Sequence, residues 1–368
     1  MSETVVARIL ELRDQPPEGL NRVPGPRTIR YYLEQDEALR AQGETLPRST
    51  RTIWKVLCQH QRIYRAPRAD HQPVERPAPL TIWEADFKDV TTVPPDPEGK
   101  QLHMVEVFNV VDAGTSILLN SLARTDFNAE TALLAFTDTF MQHGLPQAIR
   151  LDRDPRFVGS WRAHDFPSPV VRFLNCLGVT ADICPPQRPD KKPFVERFHR
   201  TLEYECLQVY KPADVAQTQD IIDAYGHFYN HDRPNQALTC GNQPPRKAHP
   251  TLSALPRLPE RVDPDRWLWQ VEGKRFKRQV KAGGSVQVDK HDYSISQKLR
   301  GRYVVLKVDA RQREFIVELA DQVVKRIPIK GLYNEALNFE TYLALMRREA
   351  LSDWRRWQHA TRQRRYTS

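Results

Sequence analysis

Two proline-rich stretches constrain the fold of this chain more than any other feature of its sequence. Four prolines lie within residues 66–80 and six lie within residues 244–265. A proline fixes the backbone φ angle and removes a hydrogen-bond donor, so a stretch rich in prolines interrupts both helices and sheets. We therefore predict extended linkers at these two places, which divide the 368 residues into several domains.

The first segment, residues 1–65, has short amphipathic patterns that predict small helices. In the last of these patterns, Ser49 or Thr50 can cap the amino terminus of a helix. The apolar face of that helix holds Ile53, Trp54 and Leu57, and the other side carries Arg48, Arg51 and Lys55. A short helix with a basic face suits the major groove of DNA, so we predict a helix-turn-helix DNA-binding region. The alternative is an ordinary small helical domain.

The middle segment, residues 81–243, alternates between strand and helix patterns. Runs typical of strands occur at 82–88, 103–111, 115–122, 148–152 and 179–184, with turn chemistry at Pro94–Lys100. Patterns typical of helices occur at 128–142, 166–177, 192–209 and 215–229. Hairpin strands followed by alternating helices and strands predict an α/β core in which helices cover a mixed sheet.

The third segment changes to a period of two. Short strands separated by turn residues predict a small antiparallel β-barrel at residues 266–332. A basic run near its start, made of Lys274, Arg275, Lys277 and Arg278, encloses one aromatic residue and suits contact with a nucleic-acid backbone. A solvated strand edge is the alternative. Residues 333–368 predict a basic helical tail that lies on DNA or packs against a partner subunit.

The positive charge of the chain is unevenly distributed. Residues 256–368 hold 25 Lys and Arg against 14 Asp and Glu, whereas residues 76–255 hold 18 against 22. Basic flanks fit a polyanionic partner, and an excess of carboxylates in the core fits a metal site. A well-solvated surface is the alternative interpretation of the charge.

The remaining composition concerns the compartment. The five cysteines are scattered and form no CxxC pair, which favours the free thiols of a reducing cytoplasm over disulfides or a zinc site. No apolar run is long enough to span a membrane, and Met1–Thr4 lacks a signal pattern. We expect a soluble cytoplasmic protein with no membrane partner.

Three carboxylates in the core indicate its chemistry. Asp86 lies in a strand-like run, Asp152 ends another, and Glu196 lies just inside a predicted helix. Two strand-borne Asp and one helix-borne Glu can converge and hold two hard divalent cations, for which oxygen ligands such as carboxylates are suited. A pair of such ions activates a nucleophile and stabilises the leaving oxygen of a phosphodiester.

These carboxylates belong to longer motifs that occur in a fixed order. The motifs are Trp83–Asp86, Val110–Ser116, His143–Asp152, Val195–Leu202 and Tyr229–Pro234. With them, the segment from Trp83 to about Pro250 resembles the catalytic core of the DDE transposases and retroviral integrases. The C-terminal strands resemble, more loosely, the SH3-like domain of the same proteins, and helix-turn-helix units precede the core in many of them.

The resemblance implies a ribonuclease-H-like core and DNA strand transfer at a metal-bound triad of Asp86, Asp152 and Glu196. It implies two Mg²⁺ ions, with Mn²⁺ able to substitute, and double-stranded DNA as the partner, both element ends and target. It also implies a homo-oligomer on DNA and leaves an accessory ATPase open. Predicted DNA contacts within the core are Lys191, Lys192, Arg197 and Arg200. The alternative functions are a non-enzymatic DNA-binding regulator derived from a transposase and, third, a generic ribonuclease H or junction nuclease.

The core departs from the family pattern at two positions. Glu203 stands where many members have a basic residue seven positions after the Glu, so Arg200 is the candidate for that DNA contact. The loop Arg188–Pro193 replaces an Asn-Gly pair.

Four other polar residues of the core receive weaker assignments. Asp154 is an alternative metal ligand but is better explained as a cap of the following turn. Asp112 is better explained as structural, and His199 as a surface or packing residue. Glu84 is expected on the strand face opposite Asp86, pointing away from the site.

Overall fold

The computed structural model describes residues 1–63, 75–91, 105–159, 165–185 and 191–367. The predicted turn Pro94–Lys100, much of the first linker and part of the loop Arg188–Pro193 lie outside the described residues. The chain forms two compact units, and neither is continuous along the chain. The first unit contains Met1–Asp126 and Gln187–Ala254, and the second contains Phe127–Pro186 and Leu255–Ser368. The predicted core, residues 81–243, is therefore divided between the two units. The domain boundaries predicted from the sequence stay a prediction.

The helices and strands follow one another in the order given below. The helices are α1 (Glu3–Asp14), α2 (Pro26–Gln35), α3 (Glu37–Ala41), α4 (Thr50–Gln59), α5 (Ala129–His143), α6 (Pro155–Val158), α7 (Pro169–Cys176), α8 (Pro193–Leu202), α9 (Gln208–Tyr210), α10 (Val215–His231), α11 (Pro245–Ala248) and α12 (Phe339–Thr367). The strands are β1 (Ile82–Asp89), β2 (Glu106–Asp112), β3 (Leu118–Arg124), β4 (Ala148–Leu151), β5 (Thr180–Ile183), β6 (Arg261–Val262), β7 (Arg275–Gln279), β8 (Ser285–Val288), β9 (His291–Ser294), β10 (Tyr303–Asp309), β11 (Glu314–Leu319), β12 (Gln322–Pro328) and β13 (Leu337–Asn338).

The N-terminal helices of the first unit form a small cluster of their own. Residues from α1, α2, α3 and α4, such as Ile9, Ile29 and Ile53, are buried together. Ser49 caps α4, because its hydroxyl accepts a hydrogen bond from the amide of Thr52 at 3.3 Å. The helices predicted for this segment are present, and the helix-turn-helix assignment stays a prediction.

The first unit also contains an antiparallel three-stranded arrangement. Strand β2 lies between β1 and β3, and every residue of β2 is buried. In the register of β1 and β2, Asp86 is opposite Asn109. Helices α8 and α10 pack on these strands through Phe198 and Tyr225, among other buried side chains. The amphipathic face of α8 therefore orients it against β1 and β2.

The helix predicted at 192–209 is interrupted. An α-helix ends at Leu202 and is followed by one π-helical turn, Glu203–Leu207. The wider turn contains the buried residues Glu205, Cys206 and Leu207. A single π-turn inside a helix often occurs at a functional site, because it changes the direction in which side chains point.

The second unit has a parallel strand pair and a C-terminal antiparallel sheet. Strands β4 and β5 pair in parallel with Ile149 opposite Ala181. The C-terminal sheet has the order β12-β11-β10-β7, and β8 and β9 form a separate hairpin. Phe166 and Phe315 stack in the core next to this sheet with ring centroids 6.1 Å apart. The short antiparallel strands agree with the sequence pattern, while closure into an SH3-like barrel stays a prediction.

The C-terminal tail is a helix, and its first half belongs to the core of the second unit. Tyr342 is fully buried and stacks on Phe173 of α7 with ring centroids 6.0 Å apart. Leu345, Met346 and Ala350 are buried as well. The first half of α12 is therefore an integral part of the unit.

Two expectations about composition can be compared with the structure. All five cysteines are free, and four of them are buried. Among the described residues, no helix combines the length and the apolar character needed to cross a membrane.

Candidate active site

Asp86 lies on β1 and faces the start of α8. Its Oδ1 atom is 2.9 Å from Nζ of Lys192, the residue that immediately precedes the first helical residue of α8. Lys192 is only 4% exposed. A buried ammonium group is stable only when a partner compensates its charge, and Asp86 supplies that charge here.

Glu84 contacts the same helix terminus from two residues earlier on β1. Its side chain is fully buried, and Oε2 accepts hydrogen bonds from the amides of Phe194 at 2.9 Å and Val195 at 3.0 Å. Helix α8 has no side-chain cap from its own N-cap residue. The buried carboxylate of Glu84 therefore caps the helix from a neighbouring strand.

This arrangement corrects the expectation for Glu84. We expected Glu84 on the strand face opposite Asp86, and this was wrong. Side chains on a strand alternate between faces, so residues two apart share a face. Glu84 and Asp86 both point toward the start of α8, where Glu84 bonds the backbone and Asp86 pairs with Lys192.

Glu196 lies in the first turn of α8 and is partly exposed. Glu196 comes directly after Phe194 and Val195, the two residues whose amides donate to Glu84. An acidic side chain in the first turn is favoured by the positive end of the helix dipole. The position of Glu196 in the first unit thus depends on the turn that Glu84 caps.

His199 lies one turn further along α8 and belongs to a polar network. Asn109 Oδ1 accepts a hydrogen bond from the hydroxyl of Ser121 at 2.8 Å, which leaves its amide group to donate to His199 Nε2 at 3.1 Å. Burial, followed by the positive charges of Lys192 and Lys88, lowers the pKa of His199 to about 3. The imidazole is therefore neutral with its proton on Nδ1, the atom 4.0 Å from Asp86 Oδ2, and this contact is not an ion pair.

Asp152 lies in the second unit, directly after β4. Its Oδ1 atom accepts a hydrogen bond from the amide of Asp154 at 2.9 Å. Asp154 in turn caps α6 by accepting from the amide of Arg156 at 2.8 Å, which confirms the predicted capping role. Arg153 donates to the carbonyl oxygen of Cys184 at 3.1 Å, which ties this turn to the residue after β5.

Two further acidic residues of the first unit have structural contacts. Asp112 accepts hydrogen bonds from the amide and hydroxyl of Thr115 and from the amide of Leu80, and burial raises its pKa. These contacts agree with the structural role predicted for it. Glu203, at the position where the family often has a basic residue, forms an ion pair with Lys88 at 2.7 Å.

The predicted DNA contacts have different environments. Arg48, just before α4, is exposed, as are Arg51 and Lys55 on that helix. Near α8, the side chains of Lys191, Arg197 and Arg200 are exposed as well. Lys192 is buried against Asp86, so contact with DNA would require it to leave that carboxylate. Of the DNA contacts predicted near α8, Lys192 is the one that is buried where an exposed side chain was expected.

The basic run on and before β7 makes contacts within the second unit. Lys274 donates to the carbonyl oxygen of Asp165 at 2.7 Å, and Arg275 pairs with Glu318 at 2.7 Å. The ammonium group of Lys277 lies over the ring of Tyr303, and Arg278 pairs with Asp165. Lys274, Arg275 and Lys277 are nevertheless exposed, as a contact with a nucleic-acid backbone requires.

The suitability of the site for a divalent cation can be judged from the donors present. Within the described ranges, no three His, Cys, Asp or Glu side chains lie close enough together to hold a metal ion. Asp86 is nevertheless paired with a positive charge, since the ammonium group of Lys192 lies 2.9 Å from its Oδ1 atom. The predicted ligands are carboxylates, which are the donors that Mg²⁺ prefers, so their chemistry fits the ion.

Comparisons with known proteins agree with the core assignment. A family model described as the integrase core domain matches residues 177–245. The uncharacterized 31.7 kDa protein of insertion element IS407 from Burkholderia multivorans is 25% identical over 162 residues, which cover 44% of this chain and 53% of that protein. The uncharacterized 39.2 kDa protein of insertion element IS476 from Xanthomonas euvesicatoria is 28% identical over 102 residues, 28% of this chain and 27% of that protein. The chain thus spans about half the length of the first relative and about a quarter of the second.

Two solved structures are similar at a lower level. A chain of the simian T-cell lymphotropic virus intasome in complex with PP2A regulatory subunit B56 gamma is 14% identical with a TM-score of 0.37, covering 85% of this chain and 98% of that one. The catalytic core domain of BIV integrase is 16% identical with a TM-score of 0.33, covering 46% and 92%. These TM-scores add nothing to the assignment. The core-domain match and the insertion-element relatives confirm the predicted resemblance to DDE transposases and integrases.

Proposed function

We propose that this chain, which carries the core of the DDE transposase and integrase family, is a transposase that cleaves and joins DNA strands by phosphodiester transfer. The observation that supports this most is the contact between β1 and the start of α8. Asp86 and Glu84 both face the helix on which Glu196 lies. Glu84 is fully buried, and Asp86 and Glu196 are partly exposed. Acidic side chains at one helix terminus, with two of them accessible to solvent, suit a site that binds cations.

We assign Asp86, Asp152 and Glu196 as the ligands of two Mg²⁺ ions, with Mn²⁺ able to substitute. Bound Mg²⁺ would supply activation of the attacking hydroxyl or water and charge stabilisation at the leaving oxygen. Asp86 and Glu196 belong to the first unit, and Asp152 belongs to the second unit, in the turn after β4. Metal assistance makes a general-base histidine unnecessary, which agrees with the low pKa of His199.

The neighbours of Asp86 have positioning roles in this proposal. Glu84 fixes the first turn of α8, and the Nδ1 atom of the neutral imidazole of His199 lies 4.0 Å from Oδ2 of Asp86. Lys192 compensates the charge of Asp86, and a metal ion bound at the same Oδ1 atom would compete with its ammonium group. Like charges would otherwise repel one another at a site rich in carboxylates.

We propose double-stranded DNA as the substrate, both as the element's own ends and as the target. The exposed basic residues of α4 and α8 are the proposed contacts. Because two DNA ends are joined in a coordinated way and one site handles one strand at a time, we propose a homo-oligomer assembled on DNA. Net positive flanks keep copies of the free chain apart until DNA neutralises them.

The test uses the purified full chain and duplex oligonucleotides from the inverted repeats that flank the coding region. We expect nicked and joined products in Mg²⁺ or Mn²⁺ and none in EDTA. The alternative, a DNA-binding regulator without activity, predicts specific end binding and no product with either metal. That second outcome would reject the enzymatic proposal while keeping the DNA-binding one.

A further inference from the structure

A cavity of about 270 Å³ lies in the first unit beside α8 and the end of α10. Three arginines line it: Arg22 from the N-terminal segment, Arg197 from α8 and Arg233 just after α10. Among the described residues that form its wall, there is no Asp or Glu. A concave surface with three guanidinium groups and no carboxylate has the composition of an anion site.

One carboxylate behind the wall compensates part of this charge. Glu205, in the π-helical turn, accepts two hydrogen bonds from Arg233 at 2.7 and 2.8 Å. The same carboxylate is 3.2 Å from Nε of Arg22. Glu205 is thus shared by two guanidinium groups, and the third, Arg197, is exposed at the cavity. The four side chains together carry an excess of positive charge.

The environment of Arg22 is the least favourable to its positive charge. Burial, and next the positive charge of Arg233, lower the pKa of Arg22. The geometry of the group is nevertheless well defined. Arg233 lies over the ring of Tyr229, and Arg22 donates a hydrogen bond to the hydroxyl of Thr28 at 3.1 Å. Guanidinium groups that are held in place lose little freedom when an anion binds, which strengthens binding.

We propose that this cavity binds a phosphate group of the DNA backbone. The proposal rests on the proposed function, because a phosphodiester is the anion that a strand-transfer enzyme meets. Arg197 and Thr201 are four residues apart, so they share one face of α8, and Arg197 is adjacent to Glu196 in sequence. A phosphate held here would keep a DNA strand along the helix that carries Glu196. Arg22 would join the N-terminal segment to the same strand.

The experiment measures DNA binding by fluorescence anisotropy over a range of NaCl concentrations, using the full chain. The variants are Arg197→Gln and Arg22→Gln, and the matched control is Arg311→Gln, an exposed arginine in the second unit. Each contact with a phosphate contributes about 1 to the slope of log affinity against log salt. We expect each of the two variants to reduce the slope by about 1 on both end and random duplexes, and the control to leave it unchanged.

A second arm separates a DNA phosphate from a free anion. Inorganic phosphate is added at constant ionic strength while thermal unfolding is followed, with chloride as the reference. A larger stabilisation by phosphate in the unmodified chain than in Arg197→Gln, together with the loss of slope, supports the proposal. Slopes equal to that of Arg311→Gln would overturn it, whether or not inorganic phosphate binds.

The choice of variants and readouts tests anion binding at the cavity independently of strand transfer. Arg233→Gln is avoided because it leaves the buried carboxylate of Glu205 without its bidentate partner, which destabilises the fold. The exposed side chain of Arg197 avoids that difficulty. Both arms measure binding without turnover, so a chain that shows no strand transfer still gives a result for the cavity.

Discussion

Asp86 and Asp152 have the same predicted role but are supported in different ways. Asp86 is held by distant parts of the chain, since Lys192 is its ion-pair partner and α8 lies opposite it. Asp152 is held by its own turn, where it accepts a hydrogen bond from an amide two residues later. Lys192 is thus a partner of Asp86 that lies more than 100 residues away in sequence, whereas the hydrogen bond of Asp152 with Asp154 is local.

The largest expected effect is the loss of strand transfer when a predicted metal ligand is replaced. It shows whether Asp86 and Asp152 contribute equally to catalysis. Asp86→Asn, Asp152→Asn and Glu196→Gln should each reduce strand transfer on the order of a thousandfold or more, roughly 4 kcal/mol of transition-state stabilisation. An amide keeps the shape but lacks the anionic oxygen that binds Mg²⁺. Gel assays of end joining measure the loss, and anisotropy should show DNA binding largely retained. An active Asp152→Asn protein would remove Asp152 from the triad.

The next effect compares the two caps that flank these aspartates. Glu84→Ala removes a buried acceptor of two amides of α8 and should lower the free energy of unfolding by about 2–3 kcal/mol. Asp154→Ala removes the local cap of α6 and should cost about 1 kcal/mol. Urea unfolding of both variants measures the difference.

Glu84→Gln serves as the control for this pair. Its amide oxygen can still accept from both backbone groups, so it should recover most of the stability and of the strand-transfer activity. If Glu84→Ala and Asp154→Ala lowered the free energy of unfolding equally, the cap that Glu84 supplies from a neighbouring strand would stabilise the protein no more than a local cap does.

A smaller effect is expected on DNA binding, from a residue that is far in sequence from both aspartates. Arg51→Ala is expected to weaken binding to the element's own end by roughly 1–3 kcal/mol if the side chain reads a base. Anisotropy with end and random duplexes measures the specificity. Equal losses on both duplexes would indicate a phosphate contact, and no loss on either would exclude α4 from the interface.

The smallest effect probes the ion pair that distinguishes Asp86. Lys192→Gln removes a buried ammonium group next to Asp86 and should destabilise the protein in the absence of Mg²⁺ by about 1–2 kcal/mol, because Asp86 is partly exposed and water compensates its remaining charge. Mg²⁺ should then stabilise the variant more than the unmodified chain, because no ammonium group has to be displaced. Thermal unfolding with and without Mg²⁺ measures this. The control Arg153→Gln, near Asp152, should respond to Mg²⁺ as the unmodified chain does.

One earlier expectation about the tail changes with the structure. If the tail packed only on DNA or on a partner subunit, as the sequence suggested, deleting residues 339–368 would weaken assembly more than metal-dependent nicking. Because Tyr342, Leu345 and Met346 are buried in the second unit, that deletion would expose a core and destabilise the fold. The sequence predicted the helix correctly, but the arginines along it suggested contact with DNA or a partner subunit.

Much of the fold was predictable from local patterns. The strand around Asp86, the strand before Asp152, the helix carrying Glu196 and the cap at Ser49 were all predicted, because periodicity and capping chemistry act over a few residues. The motif order was enough to identify the resemblance that the comparisons confirm. The assignment of the three carboxylates as ligands stays a prediction that the variants above examine.

What only the tertiary structure decided is the identity of long-range partners. Glu84 and Phe194 are 110 residues apart in sequence, and Arg22 meets Glu205 across an even longer separation. A periodic pattern specifies which face of an element is buried, but many partners satisfy a buried face equally well. A buried carboxylate or guanidinium group is different, since it is stable only beside a group that compensates its charge. The sequence alone thus determined the elements and their chemical inventory, and packing decided which charges meet.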